Sequence, residues 1–139
     1  MFTLENDNYK IWKIIFVTAA IWNLLGATLG TVFTFDVFMI LFDRSLSDPL
    51  VISIYRGAWG SSFLYFLGYL FVAYNPQKQT GVIIIGTIGK IFFAFTLFTH
   101  YLNGLATSYA LIVIVGDVIF SILFIIFLYV LWKNDKKIF

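Results

Sequence analysis

Four apolar runs, at about 11–32, 50–74, 81–101 and 108–132, take up most of the chain and leave few ways to fold it. A helix needs ~20 apolar residues to cross ~30 Å of hydrocarbon, and each run reaches that length. Segments such as VIIIG and SILFIIFLYVLW do not alternate in polarity, as the strands of a closed membrane barrel must. Charge leads to the same conclusion. Only 12% of the residues are charged and 61% are hydrophobic, against roughly 25% charged in an ordinary soluble domain. So little charge cannot cover a water-facing surface on a chain this small. An ordinary soluble domain, a disordered chain and a nucleic-acid binder are excluded. The expected fold is an all-α integral membrane protein, with residues 1–139 forming one transmembrane domain.

Short connections make successive spans antiparallel, so the expected architecture is a four-helix up-down-up-down bundle. Asn75-Pro76 is a turn pair that ends the second span, and Asn103-Gly104-Leu105-Ala106-Thr107 reads as a tight helical hairpin. The stretch 36–49 is harder to place. Its apolar middle, Val37 to Phe42, is flanked by Asp36, Asp43, Arg44 and Asp48, which suits an interfacial segment or a short extension of the first helix. Six lysines (Lys10, Lys13, Lys78, Lys133, Lys136 and Lys137) fall on one side of such a bundle, and outside the spans only Arg44 falls on the other. That asymmetry puts both termini in the cytoplasm. Tyr9, Trp12, Tyr74, Tyr129 and Trp132 mark the inner boundary, and Tyr55, Trp59, Tyr101 and Tyr109 the outer one. The first span is longer than a signal-peptide core, is interrupted by Trp22-Asn23 and lacks a small-x-small cleavage site, so it reads as a permanent helix.

The residues that are scarce close off most catalytic chemistry. There is no cysteine, and His100 is the one histidine, so thiolate chemistry, iron–sulfur clusters and a bis-His haem within the chain are out of reach. The single glutamate, Glu5, lies near the terminus, which leaves no di-iron carboxylate site. No phosphate-cradling glycine loop is present. The residues assign no catalytic group, no metal ligand and no resident cofactor.

What remains is a few charges inside the spans, each of which costs energy unless it is paired, hydrated or snorkelling. At ~1.5 Å per residue, Arg56 falls ~8–9 Å below the outer end of its helix. By the same rise, Lys90 and Asp117 each lie ~14 Å from a helix end, at nearly the same depth on adjacent antiparallel helices. Lys90 and Asp117 are therefore the expected buried pair, with Arg56 able to reach towards them and make a centre of net charge +1. Such a centre suits an anionic or electron-rich group: a carboxylate, a phosphate or a quinone carbonyl. The alternatives are an ion pair that only locks two helices, or a lysine that snorkels away. Asn23 falls near the midplane, where an amide ordinarily bonds to another helix. The candidate ligand-binding residues are Arg56, Lys90, Asp117, Asn23 and Trp59. Gly26, Gly30, Gly57, Gly60, Gly68, Gly86 and Gly89 read as packing surfaces that let helices approach. His100 and Asp36 read as boundary residues, and the C-terminal lysines as a stop-transfer and lipid contact.

Several runs together, Ile21-Trp22-Asn23-Leu24-Leu25-Gly26, GYLFVAYNPQK, Gly86-Thr87-Ile88-Gly89-Lys90 and Gly116-Asp117, give the chain a loose resemblance to DoxX-like small four-helix bacterial inner-membrane proteins. The resemblance implies a four-helix bundle in the inner membrane, a quinone or a partner subunit as the molecule it meets, and no assigned activity. Three functions follow as expectations. The first is binding of a small amphipathic ligand, lipid or quinone-like, in a polar intramembrane site. The second is an accessory role in a larger membrane complex. The third is proton- or ion-coupled transport by a homo-oligomer, since one four-helix chain is small for alternating access. Catalysis comes last, because an acid and a base without a nucleophile or metal are thin support for it.

Overall fold

The computed structural model describes residues 6–135. Glu5, Lys136 and Lys137 lie outside them. The described residues are all-α, with helices α1 (Asn6–Val32), α2 (Thr34–Phe42), α3 (Pro49–Tyr74), α4 (Thr80–Leu102) and α5 (Ala110–Asp135), and a 3-10 turn at Pro76–Lys78. Three stretches, Tyr9–Val32, Thr80–Leu102 and Ala110–Asn134, are long and apolar enough to cross a membrane. The 26-residue α3 matches them in length, but Arg56, Ser61, Ser62 and its glycines and tyrosines dilute its apolar character. The outward faces are apolar as well. Leu64 and Phe92 are each 70% exposed, and Phe95 and Ile112 are similarly open. A water-facing surface would not look like this.

The stretch left open in the sequence resolves into a separate helix. The chain breaks at Phe33 (φ −102°, ψ 38°), and the hydroxyls of Thr31 and Thr34 donate back to carbonyls of the last turns of α1. Back-bonding of this kind bends helices. α2 ends at Asp43, in the left-handed region at φ 50°. Asp48 then caps α3, its Oδ1 accepting from the Leu50 and Val51 amides at 2.8 and 3.3 Å, with Pro49 in the first turn. At the α4–α5 hairpin Gly104 takes φ +67°, which lets the Leu105 amide donate to the His100 carbonyl and close α4. Thr107 fastens α2 to this hairpin. Its amide donates to the Leu41 carbonyl at 2.7 Å, and its hydroxyl to the Ile40 carbonyl at 2.6 Å.

α1 packs closely along α3, and α4 along α5. The two pairs meet mainly through large side chains. On one side Trp12, Phe16 and Trp22 of α1 reach Phe127, Phe124 and Phe120 of α5. On the other, Tyr65 and Tyr69 of α3 reach glycines of α4. Between the pairs Gly86, Gly89 and Gly116 make room for rings, while Gly30 of α1 lets the Trp59 Cβ of α3 come close, the helix approach expected from the sequence. A Cβ on Gly86 would strike Tyr69, one on Gly89 would strike Tyr65, and one on Gly116 would strike Trp22. Gly26 and Gly30 of α1 face Trp59 in the same way.

This packing produces two buried clusters. One gathers Phe16, Tyr69, Val72, Ile83, Phe124, Phe127 and Leu131. The other gathers Leu41, Trp59, Ala94, Leu97, Ala110 and Ile114, with α2 closing that end through Leu41. Among the buried polar residues, Thr87 and Lys90 of α4 and Asp117 of α5 fall between the two clusters along their helices, with Asn23 and Ser121 nearby, while Thr34 is buried at the α1–α2 break.

Candidate functional site

Lys90 and Asp117 form the centre of this polar layer. Their Nζ and Oδ1 atoms are 2.6 Å apart, with side-chain exposures of 5% and 8%. The α4–α5 hairpin sets the pair, since Lys90 near the middle of α4 and Asp117 in the third turn of α5 meet across the antiparallel helices and both turn inward. The carboxylate has a second donor from another helix: Trp22 Nε1 of α1 donates to the same Oδ1 at 3.1 Å. Ser121 donates to the Asp117 carbonyl at 2.7 Å. The Lys90 ammonium also lies 5.5 Å from the Phe120 ring centroid and 5.9 Å from that of Tyr69, at the distances where a ring face attracts a cation. Bringing two charges out of water costs several kcal/mol per ion even after relaxation, so a pair like this persists only when hydrogen bonds and geometry compensate.

Beside the pair lies a chamber of about 180 Å³. Trp22, Asn23 and Gly26 of α1, Ala58, Trp59, Ser61, Ser62 and Tyr65 of α3, Gly89 and Phe93 of α4, and Val113 of α5 complete its lining with Lys90 and Asp117. Ala58, Ser61 and Phe93 are exposed, so the chamber opens sideways between α3 and α4.

Of the five candidates from the sequence, four line this chamber. Asn23 does so from a buried position, but its amide donates to the Ala19 carbonyl of its own helix at 2.8 Å, not to a neighbouring helix as expected. Trp59 is also turned inward. It is buried against Gly26 and Gly30 and meets Phe93 edge-on at 5.7 Å, so it forms a wall and is no boundary anchor. Arg56 is the exception. Its Nε donates to Thr34 Oγ1 at 2.9 Å, and its guanidinium lies 5.8 Å from the Phe35 ring centroid. It clamps the α1–α2 break and does not converge on Lys90 and Asp117. The charge of the centre is therefore zero, where three converging groups would have made it +1.

Trp22 is the site residue that sequence reasoning passed over. The signal was there, a tryptophan at mid-span beside an asparagine, when tryptophans in membrane helices gather at the interfaces. Tyr65, Ser61 and Ser62 gave no such signal. No protein family, curated protein or solved structure compared with the chain matches it.

Proposed function

We propose that α1, α3, α4 and α5 all cross the bilayer as an up-down-up-down bundle, and that the chamber beside Lys90 and Asp117 binds the polar head of a small amphipathic molecule taken from the lipid phase. In favour of the fourth span, α3 has 26 residues, ~39 Å at the helical rise, and it runs antiparallel along α1. Exposed Lys10, Lys13, Lys78 and Lys133 gather at one end of the bundle, and Asp36, Asp43, Arg44 and Asp48 at the other. On the positive-inside rule, the lysine end and both termini face the cytoplasm. The DoxX-like resemblance makes the membrane a bacterial inner membrane.

The observation that carries the binding reading is a half-polar chamber of about 180 Å³ at the level of a buried ion pair. A pair serving only as a clamp needs no space beside it. Ligand pockets between the helices of bundles hold a few convergent polar groups that orient the ligand, and here Lys90, Asp117, Asn23, Ser61 and Ser62 line the chamber together with Trp22, Trp59, Phe93 and Val113.

Native mass spectrometry of the protein released from detergent micelles tests the reading. Wild type is expected to carry a bound small molecule that is absent from Lys90→Ala and Asp117→Ala. Ser62→Leu, which fills the chamber without touching the pair, is expected to lose it too. A wild-type protein that carries nothing, whether extracted in detergent or in lipid nanodiscs, contradicts the reading.

A further inference from the structure

A second cavity, of about 350 Å³, lies on the α2 side of the chamber and is almost wholly apolar. Leu25 and Leu29 of α1, Val37 and Ile40 of α2, Tyr109 just before α5, and Ile112 of α5 contribute to its walls. It shares Trp22, Gly26, Trp59 and Val113 with the polar chamber, so the two are neighbouring compartments with the two tryptophans at their boundary. The reason for the groove is visible in the packing. In the half that holds Phe16, Phe124 and Phe127, aromatic rings fill the space between α1 and α5. The ring contacts between α1 and α5 end at Trp22 and Phe120, and beyond them Leu25, Leu29 and Ile112 remain exposed at 53%, 46% and 62%.

The charges around the polar compartment cancel. Lys90 and Asp117 are its two ionised groups, and Trp22, Asn23, Trp59, Ser61, Ser62 and Tyr65 are neutral. A charged head would leave one charge uncompensated at mid-membrane depth, where it is costly. A neutral acceptor would not. The ammonium has three N–H donors, and among the described residues its hydrogen-bond acceptor is Asp117 Oδ1, which leaves donors for a ligand oxygen.

From this geometry we infer that the ligand is an uncharged, single-tailed amphipath whose head carries a carbonyl or similar acceptor oxygen. The head lies in the chamber at Lys90, and the tail runs past Trp22 and Trp59 into the α1–α2–α5 groove. This inference rests on the proposed binding function and narrows it to one ligand class, one orientation and entry from the lipid side.

Bromoalkyl probes of equal chain length, ending in a methyl ketone, a carboxylate or an ammonium, test it through quenching of tryptophan fluorescence in the full-length protein in micelles. The ketone is expected to quench saturably, to be displaced by its unbrominated analogue, and to bind at least tenfold more tightly than either charged probe. Leu29→Phe, at an exposed position on the groove, is expected to weaken the ketone tenfold while leaving the fold intact by circular dichroism. Tighter binding of the carboxylate or the ammonium overturns the neutral-head assignment but leaves amphipath binding standing. Unchanged ketone affinity in Leu29→Phe overturns the tail placement. No saturable quenching by any probe overturns this inference. If wild type nevertheless carries a bound mass in the native spectrum, the broader binding function survives; if it carries none, both fall.

Discussion

Asp117→Ala is expected to destabilise the protein by about 3–5 kcal/mol, and Lys90→Ala by a similar amount, because each leaves a buried charge without its partner. In Asp117→Ala the ammonium loses its acceptor at 2.6 Å and Trp22 Nε1 loses its own. At mid-span the lysine is also too deep to reach either surface cheaply. Replacing both partners together behaves differently. A Lys90→Met, Asp117→Leu double variant removes the charges along with their desolvation cost, and is expected to fall within about 1 kcal/mol of wild type or above it. Chemical unfolding in micelles, analysed as a double-mutant cycle, gives the coupling. Single variants as stable as wild type, or a double variant no better than the sum of the singles, contradict a buried ion pair. The double variant also separates the two roles of the pair: it is expected to fold and to bind no ligand.

Gly30→Ala is expected to cost about 1–3 kcal/mol, while Gly57→Ala on the partner helix costs nothing or gains up to about 1 kcal/mol. At Gly30 a Cβ would overlap the Trp59 ring and its Cβ. Trp59 cannot easily move aside, because Tyr55 and Phe93 meet it edge-on at 6.2 and 5.7 Å. Relief has to come from separating α1 and α3, the most extensive helix contact. At Gly57 a Cβ meets nothing within 4 Å, so only the helix preference of alanine over glycine is felt. The comparison isolates packing from propensity. Equal effects at the two positions would mean that Trp59 does not hold α1 against α3.

The long helices were legible because length and apolarity decide them, and three of them are apolar enough to cross a membrane. Within the described residues the four long helices follow the expected 11–32, 50–74, 81–101 and 108–132 closely, with α5 starting at Ala110. The Lys90–Asp117 pair was legible for a similar reason, since rise per residue on two antiparallel helices fixes depth. Arg56 shows the limit of that arithmetic. Depth says nothing of the direction in which a side chain leaves its helix, and Arg56 is turned towards Thr34 and Phe35, where the break at Phe33 offers it a hydroxyl. That break was itself hidden, because threonine hydroxyls bonding back to α1 leave no mark in an apolar run. Trp59 was read as a boundary anchor because tryptophan near a span end reads that way, whereas Gly26 and Gly30 on the facing helix give its ring room inside. Trp22 was placed at mid-span but not counted in the site, because nothing in the sequence shows that Gly116 on α5 leaves space for its ring beside Asp117.

The central claim is that the polar layer lies within a membrane crossed by all four long helices, α3 included. The natural chain has no cysteine, so single cysteines can be placed without background at Asp43, Gln77 and Asn103 and probed with an impermeant maleimide in sealed vesicles of both orientations. Asp43→Cys and Asn103→Cys are expected to label from one side and Gln77→Cys from the other. Labelling of Asp43→Cys and Gln77→Cys from the same side would mean that α3 does not cross, and would take the chamber out of the membrane interior.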